Sequence, residues 1–205
     1  MGGPSAKRTF DLVGAGLLLV LTSPLIALMA VAIRVDSPGP TFFVQRRVGL
    51  GGREFRMFKF RSMCADAEAR LSSLAHLNVG GSRLVRIPND PRVTRLGAIL
   101  RRTSLDELPQ FLNVIRGEMS LVVPRPQAPN EVAEYSVRQR RRLSVLPGIT
   151  GLWQVTARDN PSFDEWVRLD LEYIDTWSLW LDMKILLLTS WVVLRSARRR
   201  TGEIH

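Results

Sequence analysis

Two carboxylates, Asp106 and Glu107, stand side by side in the stretch RRTSLDELPQFLN. Proline suits the first turn of a helix and disrupts an interior, so Pro109 puts the pair at a helix start. There the helix dipole favours ionised carboxylates, and divalent cations and incoming phosphates can be added to them. Because neighbouring side chains point in different directions, one carboxylate can attack while the other holds a metal or positions the attacker. A plainer reading competes with this one, since Ser104-x-x-Glu107 is a capping box. The chain carries its own control: Ser162-x-x-Glu165, with Asp164, repeats the same dipeptide in the same box.

Cationic residues gather around the first pair. Arg101, Arg102, Arg116 and Arg125 lie close to it in sequence, and Pro124-Arg125-Pro126 fixes the backbone on both sides of an arginine. Such an arginine is a pre-organised phosphate clamp. Lys59 and Arg61, in KFRSM, and Arg158, in QVTARDN, are further donors. A nucleophilic carboxylate suits phosphoryl chemistry, because an acyl-phosphate intermediate splits one displacement into two. Mg²⁺ and arginines would offset the repulsion between the anions. A nucleotide diphosphate fits as the electrophile. No P-loop, GxSxG, HExxH or GxGxxG pattern is present, which argues against several other enzyme classes. Cys64, His76 and His205 have no zinc-ligand spacing, and a single cysteine forms no internal disulfide.

The elements that must position these residues begin with a membrane-seeking one. From Leu12 to Ile33 the chain carries no charged side chain, a length sufficient for a hydrocarbon core of about 30 Å. A cleavable signal peptide would need a small-x-small site after the run, where Ile33-Arg34-Val35-Asp36 stands instead. Lys7 and Arg8 precede the run, and Arg34, Arg46, Arg47, Arg53 and Arg56 follow it, so both ends prefer the same side. Ser23-Pro24 sits mid-run. Pro24 kinks a helix there, and the Ser23 hydroxyl can satisfy a backbone group that the proline frees. The expectation is a re-entrant helix-break-helix over residues 1–35, with an ordinary spanning helix kinked at the proline as the competing form. Asp11, at the edge of the run, needs Lys7 or Arg8 as a partner.

The net charge of +10 over 205 residues suits an anionic partner: phospholipid, nucleotide phosphate or nucleic acid. Residues 36–63 read as a β-hairpin around Gly49-Leu50-Gly51-Gly52. Helices are expected over 65–77, ended by the loop NVGGSR, and over 95–102, 109–115 and 133–146, the last one basic. Residues 162–177 form an amphipathic helix. The segment 179–200, with Trp180, Trp191 and a terminal arginine cluster, fits a helix in the headgroup plane or packed on the protein. The fold class is α+β: an anchor over 1–35 and a catalytic domain over 36–205 with C-terminal interfacial helices.

In this order, KRTFD, the Ser-Pro break, GPTFFVQRRVGLGGREFRMFKFRSM, LRRTSLDELPQFLNVIRGEMSLVVPRP and LPGITGLWQVTARDN resemble the bacterial sugar transferases of the monotopic phosphoglycosyl transferase family. The resemblance runs over nearly the whole chain. It implies a monotopic enzyme on the cytoplasmic face of the bacterial inner membrane. Such an enzyme moves a sugar-1-phosphate from a UDP-sugar to polyprenyl phosphate with Mg²⁺ and release of UMP. It also implies Asp106 as the nucleophile, Glu107 as its partner near the metal, and Lys59, Arg125 and Arg158 as phosphate or nucleotide contacts. Val123 and Ala157-Arg158-Asp159 depart from the family's usual glycine before Pro-Arg-Pro and from its Gly-Arg-Asn. Larger members carry extra N-terminal membrane helices, so the resemblance suits either a minimal member or an excised catalytic domain. Membrane phospholipid is an expected partner, nucleic acid is not, and a homo-oligomer is compatible with the sequence. Three other readings predict different outcomes. A membrane adaptor would work without Asp106, a nucleic-acid-binding domain would bind DNA in a salt-sensitive way, and a one-step glycosyl transferase would release UDP.

Overall fold

The uncharged run winds into one helix, α1 (Pro4–Asp36), 33 residues long with Pro24 inside it. The computed structural model describes residues 4–79, 87–158, 160 and 162–198. The expected break at Ser23-Pro24 is not a gap in the helix, and the reason is local. Proline has no amide hydrogen to give the Val20 carbonyl four residues back, and the Ser23 hydroxyl donates to that carbonyl at 2.8 Å. Only 6% of the most apolar window of α1 is buried, so most of its side chains are at least partly exposed and one face alone meets the protein. Among the described residues it is the one helix long and apolar enough to cross a membrane.

Both halves of α1 rest on the same body. Phe10, Ala15, Leu18 and Leu19 pack into the main core around Val114, Met119 and Leu121. Ile26, Met29, Ala30 and Ile33 pack with Phe60 and Leu100 in a second cluster. Leu108, just after the carboxylate pair, touches both clusters. Asp11 does find Lys7, whose ammonium lies 2.8 Å from Asp11 and 2.9 Å from Asp182. Arg8 donates to the carbonyls of Val114 and Ile115.

The hairpin forms as β1 (Phe42–Val48) and β2 (Glu54–Phe60), antiparallel, with Phe42 opposite Phe60 and Val48 opposite Glu54. Its turn needs glycine: Gly51 and Gly52 have φ of 64° and 82°, left-handed values that side chains with a Cβ resist. Helix α2 (Arg95–Thr103) follows, then α3 (Gln110–Arg116). Asn113, fully buried on α3, accepts from the Phe58 amide and donates to the Arg56 carbonyl, which fixes β2 against that helix. A second sheet pairs β3 (Ser120–Val122) in parallel with β4 (Gly148–Thr150). A Cβ on Gly148 would lie 2.3 Å from the Val123 carbonyl oxygen, so only glycine lets these segments approach.

Two expected helices take other forms. Residues 65–77 make turns and a 3₁₀ segment, Ser72–Leu77. Ala67 is the one apolar residue buried in that stretch, too little packing for a short α-helix. Part of the loop NVGGSR lies outside the described residues. The basic stretch 133–146 splits into α4 (Pro129–Ala133), α5 (Val137–Arg140) and a 3₁₀ turn, Arg141–Ser144. Ser136 restarts the helix with a capping box of its own, shared with Gln139. After β4 come α6 (Leu152–Thr156), α7 (Phe163–Thr176) and α8 (Leu179–Arg198). Trp180, Leu187 and Trp191 stand exposed along α8, and Arg199 and Arg200 lie outside the described residues. The architecture is thus helices with two small sheets, a mixed α and β fold with one long apolar N-terminal helix.

Candidate active site

Ser104 decides which way the carboxylate pair faces. It has φ 57° and ψ 17°, left-handed, and closes the C-terminus of α2 through its amide to the Arg101 carbonyl. Its hydroxyl makes no capping bond to the residues that follow, so the Ser104-Glu107 box does not form. Leu105–Glu107 instead make one 3₁₀ turn that leads through Pro109 into α3. The control box behaves differently: the Ser162 hydroxyl accepts from the Glu165 amide at 3.3 Å and caps α7. Glu165 then turns to Arg168 at 2.7 Å. One dipeptide caps a helix, and the other is free for different work.

Glu107 is held by two cations. Lys59 on β2 donates to Oε1 at 2.9 Å. Arg125 takes both oxygens, reaching Oε2 at 3.2 Å and Oε1 at 2.5 Å. Asp106 is 7% exposed, and Lys59 lies 4.0 Å from its Oδ2. Adjacent carboxylates thereby acquire opposite characters. Burial alone would raise the Glu107 pKa, but Arg125 and Lys59 outweigh it and hold the carboxyl well below its ordinary value. Asp106 is pushed up by burial and by the neighbouring Glu107 charge, against the pull of Lys59, Arg125 and Arg101. Burial lowers Lys59, with Glu107 the largest opposing influence.

Arg125 is delivered by a segment that cannot fasten itself. Pro124 and Pro126 lack amide hydrogens, so the fixing bonds come from elsewhere to the carbonyls. The Gly148 amide donates to Pro124, Arg142 to Arg125, Arg47 to Pro126 and the Val48 amide to Gln127. Four successive carbonyls are thus taken by donors on other parts of the fold.

Of the expected cationic contacts, Lys59 and Arg125 meet at the dyad, while Arg61 turns to the end of α1. Arg61 is buried with its guanidinium on the carbonyls of Ile33, Ser37 and Pro38, where it closes the end of α1. A cation at a helix C-terminus meets the unsatisfied carbonyls of the last turn. Arg158 is exposed in the turn after α6, and Asp159 lies outside the described residues. Nothing in the sequence assigns a site role to Asn113 or Asp170, and it presents Arg47 only as a basic flank of the apolar run and Arg142 only as part of a basic surface helix, whereas Arg142 is buried. An asparagine in the middle of the helical pattern after Pro109 was the available signal for Asn113.

Among the described residues no group of three or more histidine, cysteine or acidic side chains could hold a metal. Mg²⁺ does not need such a cage, since it commonly takes one or two carboxylates and completes its octahedron with water and phosphate oxygens. Two adjacent carboxylates fit that pattern. Among the described residues Asp106 has no hydrogen-bonded cation, and Glu107 Oε2, with one donor there at 3.2 Å, keeps a lone pair.

The chain belongs to the bacterial sugar transferase family, whose model matches residues 3–196. It is 48% identical over 92% of its length to the galactosyl transferase CpsE of Streptococcus agalactiae serotype III, strain NEM316. It is 40% identical over 91% to the exopolysaccharide production protein ExoY of Rhizobium meliloti, strain 1021. Identity is 45% over 89% of the chain to the UDP-glucose:undecaprenyl-phosphate glucose-1-phosphate transferase of Caulobacter vibrioides, strain ATCC 19089 / CIP 103742 / CB 15. These matches cover 42% of CpsE, 84% of ExoY and 67% of the Caulobacter protein, so the chain spans less than half of some relatives and most of others.

Proposed function

We propose that this chain transfers a sugar-1-phosphate from a UDP-sugar to polyprenyl phosphate at the cytoplasmic face of a bacterial membrane, by two displacements. The observation that carries the reading is the asymmetry of the dyad: Glu107 is neutralised by Lys59 and Arg125, and beside it Asp106 is buried without a hydrogen-bonded cation among the described residues. The activities for which several relatives are named, undecaprenyl-phosphate glucose phosphotransferase in Komagataeibacter xylinus among them, support the substrate classes.

In the first step an Asp106 oxygen forms a bond to the sugar-bearing phosphorus, and the bond from that phosphorus to the bridging oxygen breaks. UMP leaves with the electron pair. In the second step a phosphate oxygen of the lipid attacks the same phosphorus, the aspartyl oxygen departs as carboxylate, and polyprenyl-diphosphate sugar is formed. A raised pKa makes the Asp106 carboxylate a stronger base and nucleophile. Lys59 and Arg125 keep Glu107 ionised and fixed beside it. Bound at Asp106 and the remaining lone pair of Glu107, Mg²⁺ would supply charge neutralisation for the diphosphate.

The same reading makes the protein monotopic, with α1 as a re-entrant anchor. What supports it is that the two ends of α1 are tied to one body, Arg8 through Val114 and Ile33 through Phe60. A crossing helix would put them on opposite sides of about 30 Å of hydrocarbon. Exposed Trp180 and Trp191 on α8 suit the headgroup level, where the phosphate of the lipid acceptor lies. A panel of UDP-sugars with polyprenyl phosphate tests the reaction. UMP as the product supports it, and UDP points to one-step glycosyl transfer. A chain whose cellular role survives loss of Asp106 is an adaptor.

A further inference from the structure

The carbonyl of Arg125, the residue that clamps Glu107, accepts from Arg142 Nη2 at 3.3 Å. Arg142 is 5% exposed in the 3₁₀ turn after α5, and three elements converge on it. Its Nη2 lies 2.8 Å from Oδ2 of Asp170 on α7, which is fully buried. Its Nη1 donates to the Tyr135 hydroxyl. Its guanidinium stacks 5.6 Å from the Tyr135 ring centroid and 5.7 Å from that of Phe163.

Such a buried pair is a poor device for stability, because taking two charges out of water costs as much as their attraction returns. Here the balance is visibly incomplete. Beyond the Arg142 guanidinium, neither Asp170 oxygen has a partner among the described residues, and burial pushes its carboxyl up to about 7 despite Arg142. What the pair does provide is a rigid fork. A guanidinium presents donors in fixed directions, so Arg142 can meet Asp170, Tyr135 and the Arg125 carbonyl together, which a single ammonium cannot match.

We propose that Arg142, locked by Asp170 and Tyr135, is a positioning residue that sets where the Arg125 guanidinium meets Glu107. Its hydrogen bonds and ion pair go to Tyr135, Asp170 and the Arg125 carbonyl rather than to the dyad, so it acts through the Arg125 backbone, in a segment whose prolines leave it dependent on outside donors. For its effect on rate the inference rests on the reaction proposed above.

A double-mutant cycle on the detergent-solubilised full chain tests it, with UMP release as the readout. Arg142→Lys should lower kcat/KM about tenfold, the scale of one charge-assisted hydrogen bond. In an Arg125→Lys background the same change should cost under about twofold, because the clamp it positions is already lost. Tyr135→Phe leaves the buried charges paired and should show the same pattern at smaller size, so the idea stays testable if Arg142→Lys folds poorly. Equal losses in both backgrounds overturn it and leave Arg142 as core structure. Hydrogen exchange gives a second readout that needs no turnover. The 123–128 peptide should exchange faster in both variants, by a larger factor than α7 does, and unchanged exchange there also overturns the proposal. A wild-type protein that releases no UMP from any UDP-sugar instead defeats the reaction, with the exchange result still standing.

Discussion

Replacing Asp106 by asparagine should abolish turnover and, at neutral pH, make the fold more stable. The carboxyl is 7% exposed, and burial together with Glu107 raises its pKa above 3.8 in the folded chain. A group raised in this way favours folding below its unfolded value and loses that contribution as pH rises through its folded value. At pH 8 the ionised side chain is therefore a net cost, which a neutral amide of the same shape does not carry. A relief of about 1 kcal/mol corresponds to a rise in Tm of about 2–4 °C for a chain of this length. The advantage should shrink as pH falls toward 3.8, where the wild-type group is neutral as well. Turnover should fall by about 10⁴-fold or more, as expected for loss of a covalent nucleophile. Asp164→Asn makes the contrast. That carboxylate lies exposed in the first turn of α7, so its loss should leave UMP release intact and lower stability slightly through the helix dipole. Thermal unfolding at pH 8 and pH 4, run beside the UMP assay, decides the matter. An Asp106→Asn protein that melts below wild type at pH 8, or that still turns over, refutes the reasoning.

Arg125→Lys keeps a cation but loses the two-pronged hold on Glu107, and kcat/KM should drop about 100-fold. Glu107 is held low, so its stability contribution is present above its ordinary value and lost as pH falls through the depressed one. Weakening the hold should move acid unfolding to higher pH, read by circular dichroism. Lys7→Met leaves Asp11 and Asp182 buried without their shared cation, and should cost about 3–5 kcal/mol in chemical denaturation. With Cys64 replaced by serine, cysteines placed at Ser5 and Ser37 should react with an impermeant reagent from one side of a vesicle only. Opposite-sided labelling rules out the re-entrant anchor.

The parts of the fold legible in the sequence were those set by local rules. The run from Leu12 to Ile33 became α1, and the glycines at 51 and 52 became the hairpin turn, because hydropathy and left-handed φ are properties of single residues. The dyad was legible as adjacent carboxylates beside Pro109. Its surroundings were legible only in part, since Lys59 and Arg125 come from β2 and the loop after β3, and only folding brings them to Glu107. Arg61 looked equivalent to Lys59, yet its donors turn to the end of α1. The Ser104 box was unreadable for another reason: its pattern matches that of Ser162, and a positive φ imposed by the end of α2 is what separates them.

The order in which a ribosome delivers this chain gives the Lys7 contact a further meaning. The first described helix and the last are joined there, with Asp182 emerging some 175 residues after its partner. Until α8 arrives, the Lys7 ammonium has the Asp11 carboxylate but not that of Asp182. The contact that joins α1 to α8 is therefore completed only when the last described helix has been made, after the whole of the body that lies between them in sequence.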